Sequence, residues 1–367
     1  MDKILNNQFI KLDSPRAWRT YIGGRKLDQI YGIDSSNDPH FPEEWIMSMT
    51  VARNTGREEF KDEGMSHLVD YSNLAFKDLI LSDPSYYLGD SFYSKYGSTT
   101  GVLVKLIDAS ERLTVQVHPT KEKARLLFNS NYGKTECWYV LDDKEVNGIK
   151  PCIYIGFKKG ITKEIWKDLF DKQDIQGMLS WMHKIPVKKG ETILIKGGLP
   201  HAIGQYCFLV EIQEPTDYTI RIERTTPAGF KISDFMCHQG IGFDKMFDCF
   251  NYIGMSEQEI RDNYFVKPIE KYNDKNNLIT TLIGYETTDL FKLDRIDVQK
   301  EINIESSSSF GGIYVLEGEG TIINANSTFE IKKGNQFFLP CKLGNWKIIN
   351  KNSNKKLTVL YFKGPKD

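Results

Sequence analysis

Residues 113–118 read Leu-Thr-Val-Gln-Val-His, an alternation of apolar and polar side chains with the period of a half-buried β-strand. In a strand, Thr114, Gln116 and His118 point to one face and Leu113, Val115 and Val117 to the other. An amide and an imidazole two residues apart on a buried face are costly unless something engages them. Two later segments offer partners. Gly133-Lys134-Thr135-Glu136-Cys137-Trp138-Tyr139-Val140 reads as a second strand with Lys134 and Glu136 on one face. Gly197-Gly198-Leu199-Pro200-His201 closes a third. Two histidines, a glutamate and a glutamine from three strands suit a metal site.

Most of the chain has this β character. Strand-like runs recur at 101–107, 113–118, 135–140, 152–156, 192–196, 207–213 and 218–223. Short strands punctuated by Gly, Pro and Asn predict a sandwich or barrel. Two helical stretches interrupt them. One covers Lys121–Phe128, with Thr120 as its cap. The other runs from about 162 to 183, with Ile165, Trp166, Leu169 and Phe170 at helical spacing. Residues 57–82 carry a weaker helical pattern.

A polar stretch at 267–277 marks a boundary, and β character resumes beyond it. There, Lys333-Gly334-Asn335-Gln336-Phe337-Phe338-Leu339-Pro340 resembles Lys189-Gly190-Glu191-Thr192-Ile193-Leu194-Ile195-Lys196. Both are a polar glycine turn entering an apolar strand. This weak repeat predicts two similar β units, residues 1–265 and 266–367. Residues 239–367 contain no histidine, so only the first unit can carry a metal site of this kind.

Composition narrows the function class. The chain has 367 residues, with 48 basic against 49 acidic side chains and no basic stripe, so neither nucleic acid nor an anionic membrane is the expected partner. None of the six cysteines forms a C-x-x-C pair, and Cys137 and Cys207 sit in apolar runs as core thiols. The N-terminus shows no apolar signal region, and no segment approaches the roughly 18 apolar residues of a membrane helix. The expectation is a cytoplasmic protein; nothing in the sequence fixes its oligomeric state.

The runs at 113–119, 133–139, 200–204 and 211–221, in this order and spacing, resemble type I mannose-6-phosphate isomerases of the shorter bacterial kind. Gly190, Gly198 and His201 resemble the second cupin motif, with Lys196 where proline is usual. The resemblance implies a mostly β fold of two cupin-like jelly-roll barrels, with a few helices around the first. It implies an aldose–ketose isomerase interconverting mannose 6-phosphate and fructose 6-phosphate through a cis-enediolate, with one Zn2+ per chain. By the same resemblance Gln116, His118, Glu136 and His201 match the metal ligands, and Arg221 matches an arginine over the substrate. Lys134 matches a lysine of the acid–base or substrate-binding machinery. Lys105 and Thr114 match positions near the phosphate, and Glu43 the glutamate of a Glu-x-Trp segment. The sequence departs from the family pattern at Pro42, at Thr120-Lys121 and at Ile222-Glu223-Arg224, which bears on the identity of the sugar more than on the reaction type.

The chemistry asks for these residue types. Moving a proton between C1 and C2 needs a base, stabilisation of the developing oxyanion and a grip on the phosphate. A cation held by two imidazoles, a carboxylate and a neutral amide keeps positive charge and acts as a Lewis acid. The absence of cysteine ligands argues against a closed structural zinc site. Arginine is a poor base, so Arg221 is assigned to positioning and electrostatics. Plainer readings stand beside these. His40, His67, His183 and His238 read as hydrogen-bonded packing residues, His183 near a helix end. Lys134 as a solvated strand-edge lysine, Arg221 paired with Glu211 or Glu223, and Glu43 as a surface carboxylate are the structural alternatives. Two histidines and one carboxylate also suit an iron(II) oxygenase, and a non-catalytic sugar-binding cupin is a third class.

Overall fold

Two seven-stranded sheets share one strand order. The computed structural model describes residues 7–35, 38–71 and 74–367. In the first sheet the neighbours are Phe265–Val266, Thr192–Ile195, Glu136–Asp142, Phe208–Gln213, Leu103–Asp108, Glu43–Ile46 and Arg16–Ala17. In the second they are Ile10–Leu12, Gln336–Leu339, Gly311–Glu317, Leu357–Lys363, Lys292–Val298, Asn277–Ile283 and Ile269–Asn273. A smaller sheet completes each unit. Ile220–Arg221, Gln116–Val117, His201–Ile203 and Cys152–Lys158 belong to the first, and Glu301–Ile304, Trp346–Asn350, Glu319–Asn324 and Thr328–Lys332 to the second. These are two jelly-roll β units built to one plan, as the sequence predicts.

The repeat extends to individual hydrogen bonds. In the first unit Gly190 N–H donates to Val140 O at 2.9 Å and Val140 N–H to Glu191 O at 3.0 Å. In the second, Gly334 N–H donates to Val315 O at 2.9 Å and Val315 N–H to Asn335 O at 2.9 Å. Counting four residues back from Val140 and Val315 sets Gly311 in the place of Glu136. The cross-strand pair Gln116 and His201 has its counterpart in Ile304 and Trp346. Trp346 packs among Ile302, Ile313, Ile322 and Phe337, so the second interior is filled by apolar side chains.

All six residues of Leu103–Asp108 are buried, because both faces of the strand are covered. Val104 and Leu106 face outward and pack with Phe338, Leu360 and Phe362 of the second unit. Lys105 and Ile107 face inward, toward a polar cavity. The same period-two division puts Cys137 and Tyr139 in the inter-unit core and Trp138 and Val140 inside the first barrel. Each fully buried large apolar side chain contributes about 1.5–3 kcal/mol. The two units are therefore joined by a true core and not by a surface contact.

Three expectations change. The helical stretch from 162 to 183 is two helices, Lys163–Lys172 and Ile175–Ser180, followed by the strand Met182–Pro186. Gln173 takes a left-handed conformation that ends the first, and the Asp174 carboxylate accepts from Gly177 N–H at 2.9 Å to start the second. His183 thus lies in a strand, where its Nε2 bonds Met255 O at 2.8 Å. Within 57–82 the helix is confined to Phe76–Ser82 and residues 72–73 lie outside those described. The polar stretch at 267–277 is a hairpin, since Ile269–Asn273 pairs with Asn277–Ile283 at the sheet edge. Its residues are polar because all five of that edge strand are exposed.

Candidate active site

The strands that carry the chemistry meet around Pro119. Gln116 lies opposite both His201 and Arg221 across the smaller sheet. Gly198 N–H donates to His118 O at 2.8 Å, and Lys134 N–H to Pro119 O at 3.1 Å. Gly197 packs against this corner so closely that a Cβ would sit 2.8 Å from Pro119 O. Only Val115 and Val117 keep the apolar face predicted for 113–118, against Ile220 and Phe247. Leu113 instead joins the interior of the first barrel, because regular pairing is confined to Gln116–Val117.

His118, Glu136 and His201 are buried, with donor atoms all within 4.8 Å of one another. His118 Nε2 is 3.1 Å from Glu136 Oε2, and His201 Nε2 is 3.4 Å from Glu136 Oε1. Each imidazole gives its Nδ1–H to a carbonyl, His118 to Tyr218 O at 2.8 Å and His201 to Leu199 O at 2.9 Å. That fixes the tautomer and aims both Nε2 lone pairs at one point. The Gln116 amide nitrogen lies 3.2 Å from His201 Nε2, and a half-turn of the amide brings its oxygen there instead. Burial, then the Lys134 charge, pulls His118 down to about 4. Burial likewise lowers His201. Burial works against the Glu136 carboxylate, but Lys134 and His118 hold it well below the usual range. Neutral imidazoles beside an ionised carboxylate are the protonation states a divalent cation requires. Glu136 Oε1 is buried with no hydrogen-bond partner among the described residues, so the donor set fits a metal ion.

A narrow cavity adjoins this cluster and is lined by every other residue singled out from the sequence: Glu43, Lys105, Thr114, Lys134 and Arg221. Lys134 is 3% exposed, which removes the solvated-edge reading, and its Nζ lies 2.7 Å from both His118 Nε2 and Glu136 Oε2. Glu43 is 4% exposed and not on the surface. Its carboxylate accepts from Tyr21 Oη–H and Trp45 Nε1–H, both at 2.8 Å, and pairs with Arg19 Nε at 2.9 Å. Burial alone would raise its pKa, but Arg19 and Lys105 hold it down at about 2.

Arg19, Tyr21, Glu211 and Asp217 also line the cavity; the sequence singled out none of them for the site, and Glu211 entered only as a candidate ion-pair partner of Arg221. Arg19 makes a two-pronged contact with Asp217 at 3.1 and 3.2 Å. Glu211 binds Lys105 Nζ at 3.0 Å and accepts from Trp138 Nε1–H at 3.0 Å. Glu211 had a signal, as the one charge within the apolar strand Phe208–Gln213. Arg19 had none, because its partners are far away in sequence. Glu223 is taken by Arg112 at 2.6 Å. Arg221 therefore pairs with neither glutamate suggested for it. Its guanidinium donates to the carbonyls of Thr219 at 3.2 Å and Met236 at 3.0 Å. Among the described residues it has no carboxylate within ion-pair distance, and burial pulls its pKa below the usual arginine range despite Asp217. It is the buried cation with charge to spare for an incoming anion.

Comparison with known proteins gives the same direction. The family model "Phosphomannose isomerase type I, catalytic domain" matches residues 61–144, and "Mannose-6-phosphate isomerase, cupin domain" matches 281–353. The chain is 28% identical over 255 residues to a mannose-6-phosphate isomerase of Bacillus subtilis, covering 69% of this chain and 73% of that one. It is 27% identical over 275 residues to the enzyme of Streptococcus mutans, covering 72% and 78%. Among solved structures, the Bacillus subtilis mannose 6-phosphate isomerase superposes with a TM-score of 0.72 at 21% identity, over 96% of this chain and 99% of that one. A mannose 6-phosphate isomerase bound with zinc and yttrium gives 0.69 at 14% identity, over 97% and 99%. No helix among the described residues is long and apolar enough to cross a membrane. Both family models are matched in order along one chain and the double β-unit fold is shared from end to end, so the chain is similar to the type I phosphomannose isomerases in sequence and in fold.

Proposed function

We propose that this protein is a cytoplasmic, zinc-dependent isomerase that interconverts mannose 6-phosphate and fructose 6-phosphate. The observation that carries the reading is a cavity that adjoins a buried His–Glu–His cluster and is lined by Gln116, Lys134 and a buried guanidinium without a carboxylate partner. On this reading residues 1–265 form the catalytic unit and 266–367 a metal-free companion whose outer sheet takes the early strand Ile10–Leu12. Gln116, His118, Glu136 and His201 hold one zinc ion per chain. When bound, the ion supplies a Lewis acid beside the sugar oxygens.

The protein side chains do the rest. Arg221 positions the substrate and offsets the negative charge that develops on oxygen. Lys134 moves the proton: in its unprotonated form it takes the proton from C2 of the aldose and returns it to C1, while a proton passes from O2 to O1. The product is the ketose, with no net gain or loss of atoms. Lys105 and Thr114 sit on the phosphate side. Glu43 holds Arg19 and Lys105 in place through the buried ion pairs described above. The cavity measures about 30 Å3, room for water.

A coupled assay with mannose 6-phosphate tests the proposal, run on zinc-loaded protein, after chelation, and after zinc is restored. Turnover lost with the chelator and recovered with zinc is expected. No turnover by fully zinc-loaded protein overturns the substrate assignment, and turnover untouched by chelation overturns the metal's role.

A further inference from the structure

A second cavity, of about 120 Å3, lies between the two β units. Ligand pockets concentrate at such junctions. Its apolar wall comes from both units: Leu106, Leu141 and Phe208 from the first, Leu316 from the second. Its polar lining is cationic. The two sequence-related glycine turns bring Lys189 and Lys333 to it, one from each unit. Both lysines are exposed, and neither has a carboxylate within ion-pair distance among the described residues. Arg295 reaches it from the second unit, donating to Tyr139 Oη at 2.8 Å and held by Asp297 at 3.0 Å. Glu317 is the carboxylate on the lining, so two lysines with no partner outweigh one acid.

We infer that this inter-unit cavity is a second binding site, for a small organic monoanion with an aromatic body. The carboxylate sits between Lys189 and Lys333, and the ring lies against Leu106, Leu141 and Phe208. The charge-assisted contacts give orientation, and the apolar wall rejects small hydrated anions. Because the lining spans both units, occupancy also ties them together and raises the melting temperature by mass action.

Titration calorimetry of the full zinc-loaded chain tests this with benzoate as the probe, benzamide as its neutral counterpart and acetate as the anion without a ring. One benzoate per chain is expected, with benzamide and acetate each at least about tenfold weaker. The Lys189→Ala/Lys333→Ala protein, changed only at exposed positions, should bind benzoate about tenfold or more weakly, and its unliganded melting temperature should be unchanged. Saturating mannose 6-phosphate should leave benzoate binding intact. No benzoate binding, equal binding of either comparator, unchanged binding by the double variant, or displacement by mannose 6-phosphate each overturns the assignment.

Discussion

Lys134 Nζ lies 2.7 Å from Glu136 Oε2, so the lysine proposed to move the substrate proton also touches a carboxylate of the proposed metal cluster. Two residues apart on an extended chain, both side chains turn to the same face. Replacing Lys134 by Met keeps the stem and removes the charge. If Lys134 transfers the proton, Lys134→Met lowers kcat by roughly 100- to 10,000-fold. The zinc content, measured by elemental analysis, stays at the wild-type level. A variant with normal kcat would remove Lys134 from the mechanism.

Arg221 makes the complementary prediction. Its guanidinium is held by two carbonyls and no carboxylate, so its charge remains available to an anionic substrate. Arg221→Ala should lower kcat/KM by about 1.5–3 kcal/mol, roughly 10- to 150-fold. Arg221→Lys should restore only part of this, because an ammonium lacks the planar fork with which a guanidinium meets an anion. Steady-state kinetics on the two variants decides it, and equal recovery by lysine would argue for simple charge in place of directed contact.

The convergence of His118, Glu136 and His201 and the β plan were legible because they depend on local pattern. Alternation around Gln116 and the turn before His201 are short-range signals, and the paired glycine turns betrayed the duplication. The ion-pair floor of the cavity was not legible. Arg19 meets Asp217 across 198 positions of sequence, and Lys105 meets Glu211 across 106. Nothing near any of them announces the partner. Glu43 looked like a surface acid for the same reason, since its burial depends on Trp45 of its own strand and on Arg19 and Tyr21 from the loop after Arg16–Ala17. The helix break at Gln173 was missed because the apolar spacing runs on into the second helix.

Acid should expose that floor. Glu43 is held at about 2 when folded against an ordinary 4.5, so its contribution is fully present above pH 4.5 and is lost as pH falls toward about 2. Asp217 is lowered as well, despite its burial, chiefly by Arg19, and acts in the same direction. Glu43→Gln leaves Arg19 and Lys105 short of one buried partner charge and should cost about 3–5 kcal/mol at neutral pH. Urea denaturation from pH 7 down to about pH 2 should show a smaller acid-dependent loss in Glu43→Gln than in the wild type. Parallel pH profiles for the two proteins would refute the linkage.

Backbone approach supplies the last prediction. A Cβ on Gly197 would lie 2.8 Å from Pro119 O and 2.8 Å from Thr120 Cα, and backbone atoms cannot swing aside as a flexible side chain can. Gly197→Ala must therefore push the turn before His201 away from the strand end that carries His118. Strain of this kind costs about 1–3 kcal/mol. It should also weaken zinc binding at least as much as losing a supporting contact around a metal, roughly 10- to 100-fold. Gly190→Ala is the control. It sits at φ +91 in open space, so it pays backbone strain without moving the cluster. Denaturation and zinc competition titrations should show both variants destabilised and only Gly197→Ala impaired in zinc affinity. Equal zinc affinity in the two would mean that the contact at Pro119 does not set the spacing between His118 and His201.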